Sequence, residues 1–152
     1  MQSTWLLKSF AELTTNELYG LLQLRSEVFV VEQNCPFLDM DDKDQACYHL
    51  MGYVPALGPG IQAYTRLVPP GISFPFPSIG RVVTSPQARR TGLGRMLMSR
   101  SLEECERLFG SQPIQIGAQL YLRTFYESFG FVQSGDMYLE DGIEHIEMIR
   151  PM

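Results

Sequence analysis

Two consecutive stretches, Ile79-Gly80-Arg81-Val82-Val83-Thr84 and Arg89-Arg90-Thr91-Gly92-Leu93-Gly94, decide how this chain is read. The first is rich in β-branched side chains and predicts a strand. After the second, Met98, Leu102, Cys105 and Phe109 recur on one apolar stripe, which predicts a helix over 92–109 that Gly110 ends. A strand therefore runs into an Arg-Gly turn, and the turn opens a helix. A helix start carries unpaired N–H groups and the positive end of the helix dipole. Glycines there let the backbone approach a phosphate closely. Arg89, Arg90, Arg95 and Arg100 add positive charge. The pattern is what a pyrophosphate site requires, although a plain Gly-containing turn before an amphipathic helix would read the same way. It is not a P-loop, because no Lys follows the second Gly. It is not the dinucleotide fingerprint, because Leu97 stands where the third Gly belongs.

The rest of the chain supplies a framework for this unit. Trp5–Phe10 reads as a first strand, and Thr14-x-x-Glu17 is a capping-box signature. Behind it Leu18, Leu21, Leu22, Arg25, Val28 and Phe29 keep helical spacing, so a helix is expected over 15–29. Residues 32–44 are acidic and turn-rich. Strand-like runs at 46–54 and 61–68 flank a Pro/Gly cluster, and Pro69–Pro77 is a loop carrying Phe74 and Phe76. Further on, a strand is expected at 114–118, a short helix at 119–128, and strands at 131–138 and 144–150. Asp141-Gly142 marks the hairpin between the last two. The order β-α-β-β-β-α-β-α-β-β predicts an α/β (α+β) mixed sheet flanked by helices, in one domain over 1–152.

Of the 152 residues, 17 are Asp or Glu and 12 Lys or Arg, for a net charge of −5. That charge is unevenly distributed. Residues 1–44 hold eight acids and three bases. Residues 45–102 hold six arginines and no acid, and 103–152 hold nine acids and three bases. The balance argues against a nucleic-acid partner but allows a local anion site in the middle of the chain. No apolar run is long enough for a membrane span, and the first residues lack signal-peptide features, so a cytoplasmic protein is expected. Cys35, Cys47 and Cys105 have no framework spacing and read as free thiols. Cys47-x-His49 lacks two further ligands at sensible spacing, so no metal is expected.

Arg89-x-x-Gly92-x-Gly94 resembles the pyrophosphate loop, Gln/Arg-x-x-Gly-x-Gly/Ala, of the GCN5-related N-acetyltransferases, the GNAT superfamily. Downstream, Tyr126-x-x-x-Gly130-Phe131 matches the superfamily's second motif, with Gln119 where Asn is usual. Phe29-Val30-Val31-Glu32-Gln33-Asn34-Cys35-Pro36, the triplet Gly117-Ala118-Gln119, and Glu140-Asp141-Gly142-Ile143-x-His145-Ile146-x-Met148 look like its ElaA-type branch.

The resemblance implies a GNAT-like acyl-CoA N-acyltransferase fold, its sheet splayed between the fourth and fifth strands. It implies transfer of an acetyl group from acetyl-CoA to a small-molecule or peptide amine by direct attack in a ternary complex. The pantetheine arm would pair with the edge of strand 79–84, as an added strand does. Val82, Val83 and Thr84 would meet the arm, and an N–H of Val82 or Val83 could polarise the thioester carbonyl. Arg89, Arg90, Thr91, Gly92, Leu93, Gly94 and Arg95 would meet the pyrophosphate, with Gln119 as a further contact. Tyr126 matches the family's general acid, a phenol able to protonate the leaving thiolate.

The base is open among Glu32, His49, His145 and a water chain. An imidazole is suited to the task by its ordinary pKa near ~6.5, although His49 in an apolar strand pattern also reads as a core histidine. Phe29, Glu32, Asp39 and Arg66 are expected on the substrate side. The acidic run is expected either as a solvated loop or as a lure for a cationic amine. The apolar Pro69–Pro77 loop suggests a homodimer.

Two other readings remain. Arg25-x-x-x-Phe29, Asp39/Asp42 and Arg66-Leu67-Val68-Pro69 also look like the acyl-homoserine lactone synthases, which share a GNAT-like fold. A non-catalytic acyl-CoA-binding module would keep the cofactor site without turnover.

Overall fold

The computed structural model describes residues 1–152. Strand β1 spans Thr4–Ser9, β2 Tyr48–Tyr53, β3 Ile61–Val68 and β4 Ser78–Thr84. These four form one antiparallel sheet in the order β1-β2-β3-β4. A second antiparallel sheet holds β5 (Ile114–Gln119), β6 (Val132–Gln133), β7 (Tyr138–Glu140) and β8 (Ile143–Arg150), with β8 central. Three helices complete the chain: α1 (Thr15–Arg25), α2 (Leu93–Phe109) and α3 (Arg123–Glu127).

The capping box works as expected. The Glu17 amide donates to Thr14 Oγ1 at 3.1 Å, and the Thr14 amide donates to the Glu17 carboxylate at 2.8 Å. The helical path does not stop at 29, however. Residues Ser26–Glu32 continue it in a wider, π-type winding. The Gln33 and Cys35 amides reach back five residues, to the carbonyls of Val28 and Val30, at 3.1 and 3.0 Å. Such windings recur at functional sites, and this one turns Phe29 and Glu32 toward the cleft described below.

The expected strand at 131–138 is broken in two. Val132 pairs with Ile149 and Tyr138 with His145, and the residues between them leave the ladder. Ser134-Gly135-Asp136 is poor strand sequence, and the Gln133 side chain donates to the Gly135 carbonyl at 2.7 Å. The Asp141-Gly142 turn joins β7 to β8 as expected, with φ of 52° and 77°.

The two sheets meet at one end only. The Gln115 amide donates to the Pro77 carbonyl at 3.0 Å, and no ladder joins β4 to β5 beyond that bond. From there the strands diverge, as the splayed-sheet expectation requires. The core fills the space behind the gap: Met98 and Cys105 of α2 pack against Ile116, Ile146 and Met148, closed by Phe131.

Candidate functional site

The gap between the sheets is a cleft of about 1130 Å³. One wall is the outer edge of β4, which no strand covers beyond Pro77. That edge carries a bulge. Tyr64 pairs with Val83 and Arg66 with Gly80, so Thr65 faces two residues of β4, Arg81 and Val82. Arg81 takes a φ of 51° to accommodate the extra residue. A bulge re-aims main-chain groups, and here it lies midway along the cleft wall. Val82, Val83 and Thr84 all line the cleft.

Beyond Thr84 the chain turns through Pro86–Ala88 into α2. Gly92 caps that helix with a φ of 83°, a conformation natural to glycine, and Arg90 takes a φ of 63°. Gly92 offers no capping side chain, so its first-turn amides keep their donors for another partner, except that the Leu93 amide meets Thr91 Oγ1 at 3.3 Å. Beside Gly94 the space where a side chain would begin is open. Arg90, Thr91 and Gly92 are exposed, whereas the Leu93 side chain belongs to the core. Arg95 is partnered by Ser128 at 3.0 Å and lies over the Phe129 ring, which ties α2 to the end of α3. Arg89 lines the cleft and is clasped by both oxygens of Glu32 across its mouth.

Two arginines of 45–102, Arg66 and Arg81, are therefore not free for an anion. Arg25 of α1, Arg66 of β3 and Arg81 of β4 alternate with Asp39, Asp41 and Asp44 in a closed ring. Arg25 contacts Asp39 and Asp44, each at 2.8 Å. Arg66 contacts Asp44 at 2.9 Å and Asp41 at 2.8 Å. Arg81 contacts Asp41 at 3.3 Å and Asp39 at 2.8 Å. Asp39, Asp44, Arg25 and Arg66 are buried. The acidic run is thus neither a solvated loop nor a free lure at these positions, because its carboxylates neutralise the arginines that fold over them. Burial pushes the Asp41 and Asp44 carboxyls up, and their arginine hydrogen bonds more than reverse this, so both end lowered, Asp41 well below the ordinary carboxylate range. Asp39 and Arg66, expected beside the substrate, are ring members first, although Arg66 also borders the cleft.

The base candidates separate clearly. His49 is fully buried and away from the cleft. Its Nε2 meets the Asp44 carbonyl at 3.0 Å, so that nitrogen donates, and Nδ1 accepts from the Tyr64 hydroxyl at 2.7 Å. Burial lowers its pKa. It is a satisfied core histidine, and the expectation of His49 as base is corrected on that ground. Glu32 reaches the cleft, but Arg89 holds its carboxylate and lowers its pKa. His145 lies opposite Gln119 in the β5–β8 ladder and lines the cleft. Its Nδ1 donates to the Ile143 carbonyl at 2.8 Å, leaving Nε2 to face Glu140 at 3.5 Å. Tyr138 stacks over the ring at 5.7 Å.

Tyr126 also lines the cleft. Its ring is buried against Phe125 and Phe131, and its hydroxyl makes no hydrogen bond within the chain. Burial drives its pKa well above that of a free phenol, so it keeps its proton at neutral pH. Above the cleft, the segment after the π-type winding makes two more cross-links. Gln119 donates to the Gln33 side chain at 3.4 Å, and the Cys35 thiol donates to the Asp141 carbonyl at 3.2 Å. Phe29 and Phe74 supply apolar wall, so the Pro69–Pro77 loop turns one of its aromatics inward.

A splayed pair of sheets, a bulged free strand edge and a glycine-capped helix behind it define an acyl-CoA N-acyltransferase architecture. Residues 74–150 match the acetyltransferase (GNAT) domain family, and the chain belongs to that family. Within it the chain falls in the ElaA-type branch. It is 42% identical to protein ElaA of Escherichia coli K12 over 142 residues, 92% of this chain and 91% of that protein. It superposes on an acyl-CoA N-acyltransferase from Pseudomonas aeruginosa with a TM-score of 0.91 at 44% identity, covering 98% of this chain and 99% of that one. The AHL synthase LasI shares the fold, with a TM-score of 0.76, but at 11% identity the likeness is one of fold alone. It covers 99% of this chain and 90% of that one.

Three features of the site escaped the sequence reading. Arg25 on the apolar stripe of α1 was its only advance sign of the buried ring. Nothing in the local sequence marked Tyr138 as the partner of His145. Lys43 lines the cleft with its ammonium on the Ser73 hydroxyl at 3.2 Å, and it too carried no motif.

Proposed function

We propose that the protein transfers an acetyl group from acetyl-CoA to an amine by direct attack within a ternary complex. The observation that carries this reading is the free hydroxyl of Tyr126 in the same cleft as the bulged, unpaired edge of β4. The edge of β4 accepts the pantetheine arm as an added strand. The bulge at Arg81 and Val82 turns a main-chain N–H toward the thioester oxygen, where it stabilises the developing oxyanion. Arg89 and the free amides at the start of α2 hold the pyrophosphate, with Arg90 at its side.

The amine nitrogen attacks the carbonyl carbon, and the carbon–sulfur bond breaks. Tyr126 gives its proton to the departing sulfur. His145 Nε2, directly or through water, takes the proton that the nitrogen loses, which restores charge balance once Tyr126 is reprotonated. His145 is favoured over Glu32 because its Nε2 makes no hydrogen bond and has only the exposed Glu140 carboxylate near it at 3.5 Å, while the Glu32 carboxylate is held by Arg89. The protein is read as cytoplasmic, in keeping with its three buried free cysteines. No helix is long and apolar enough to cross a membrane.

Thiol release from acetyl-CoA against a panel of amines tests the reading, with S-adenosylmethionine omitted. Release that depends on the amine and on Tyr126 is expected. Release only in the presence of S-adenosylmethionine would assign a lactone-synthase reaction instead. Tight acetyl-CoA binding with no release for any amine would leave a binding module.

A further inference from the structure

We infer that the acceptor amine carries a carboxylate, as a free amino acid does, and that Lys43 with Ser73 receives it. The inference rests on the acyl-transfer reading above and adds the chemical class of the acceptor.

The ring of three arginines and three aspartates is electrically closed, because each acid lies between two arginines and each arginine between two acids. Four of its members are buried, which leaves them little freedom to exchange partners for a ligand. Asp41, the one acid of 39–44 that lines the cleft, therefore exerts little net pull on a cation. One charged group of this segment on the cleft wall stands outside the ring. Lys43 is half-buried, and its only side-chain partner is the neutral Ser73 hydroxyl. A cation in that setting gains most from an incoming anion.

Its position separates it from the cofactor's phosphates. Ser73 lies in the loop that leads into β4 at Ser78, whereas Arg89 and α2 follow β4 beyond Thr84. The seven residues of β4 span about 20 Å at ~3.3 Å per residue. Lys43 therefore belongs to the end of the cleft remote from the pyrophosphate.

The opposite sign is carried by the β7–β8 hairpin. Glu140 and Asp141 line the cleft there, and the nearest charge partner of Glu140 is His145 Nε2. The free space thus has a cationic wall at Lys43 and an anionic wall beside the base. A zwitterion satisfies both, with its ammonium toward Glu140 and His145 and its carboxylate toward Lys43. A polyamine would leave Lys43 facing a like charge.

The test pairs α-amino acids with their decarboxylated amines in the thiol-release assay, on wild type, Lys43→Met and Lys43→Arg. Binding of the matching N-acetyl amino acid and N-alkylacetamide to the CoA-saturated protein is measured by calorimetry. Losing a charge-assisted hydrogen bond in a half-buried site costs about tenfold or more. Wild type should prefer the carboxylate-bearing member of each pair by about that factor, Lys43→Met should erase the preference, and Lys43→Arg should restore part of it. The Lys43 ammonium hydrogen-bonds only Ser73 and makes no ion pair in the fold, so the variants should fold. Equal handling of both members, or preference for the decarboxylated amine, overturns the inference while leaving acyl transfer intact. Lys43-dependent binding of the N-acetyl amino acid without thiol release from any amine overturns acyl transfer and keeps the carboxylate site.

Discussion

The Tyr138 hydroxyl rests over Gly117 so closely that a Cβ at that position would come within 2.5 Å of the oxygen. Gly117 is thus a notch in β5 that lets Tyr138 lie flat on His145. The replacement Gly117→Ala should lift Tyr138 off the imidazole while leaving both strands paired. The expected result is a folded protein that binds acetyl-CoA normally and turns over roughly tenfold more slowly, since a small misplacement of a catalytic group is costly. Tyr138→Ala combined with Gly117→Ala should lose no more than either alone. Additive losses in that double variant would sink the stacking argument.

Tyr126→Phe should retain acetyl-CoA affinity and lose between about a hundredfold and ten-thousandfold in kcat, the range of a general acid. Burial holds the Tyr126 proton beyond the ordinary phenol value. Its acid form therefore persists as pH rises through neutrality to about 10. The ratio of wild-type to variant rate should stay constant from pH 6 to 9. A ratio that collapses at the alkaline end would contradict the assigned role.

Glu32 and Arg89 are both substantially exposed, so their pair is weak and screened by salt. Glu32→Gln should free Arg89 for the pyrophosphate and tighten CoA binding by up to about fivefold at low ionic strength, with the gain vanishing in high salt. Arg89→Ala should weaken binding. Unchanged affinity in both variants, measured by calorimetry, would remove this clasp from the cofactor site.

Asp44→Asn should destabilise the fold by about 3 kcal/mol or more, because it breaks a buried ring and leaves Arg25 and Arg66 short of an acceptor. Acid should act on the same ring. Asp41 and Asp44 have depressed folded-state pKa values, so the stability they contribute is present above the ordinary aspartate value near ~3.9. It is lost progressively as pH falls below that value toward their own. His49, also depressed, adds a shallower loss that starts as pH falls below about 6.5. Chemical denaturation across pH 3–8 should show both, and Asp44→Asn should flatten the lower segment.

The order of strands and helices was readable because each element carries its own local signal. The Thr14–Glu17 box, the stripe of α2 and the Asp141-Gly142 turn all appear where their chemistry places them. The junction of β4 with α2 on the cleft was readable for the same reason, since a glycine-capped helix after a β-branched strand is a local motif. The flank of the cleft built on 33–44 was not. Its geometry depends on pairings between residues far apart in sequence: Arg25 with Asp44, Arg66 with Asp41, and Cys35 with Asp141. Charge counted along the chain located six arginines without acids, yet three of them find acids from 32–44 once the chain folds. His49 shows the same limit. Its spacing cannot tell a buried imidazole held by Tyr64 from a reactive one.

The bond from Gln115 to Pro77 is the last rung of a ladder that the protein starts and does not finish. Past it, two sheets carry unused donors and acceptors on facing edges, and nothing of the chain's own fills the space between them. An extended ligand laid along that seam would supply missing rungs to the free edge of β4. The folded state would then borrow part of its cohesion from that ligand. Its melting temperature should rise with ligand concentration, as the logarithm of that concentration once it exceeds the dissociation constant, and the empty protein should be softest along that seam.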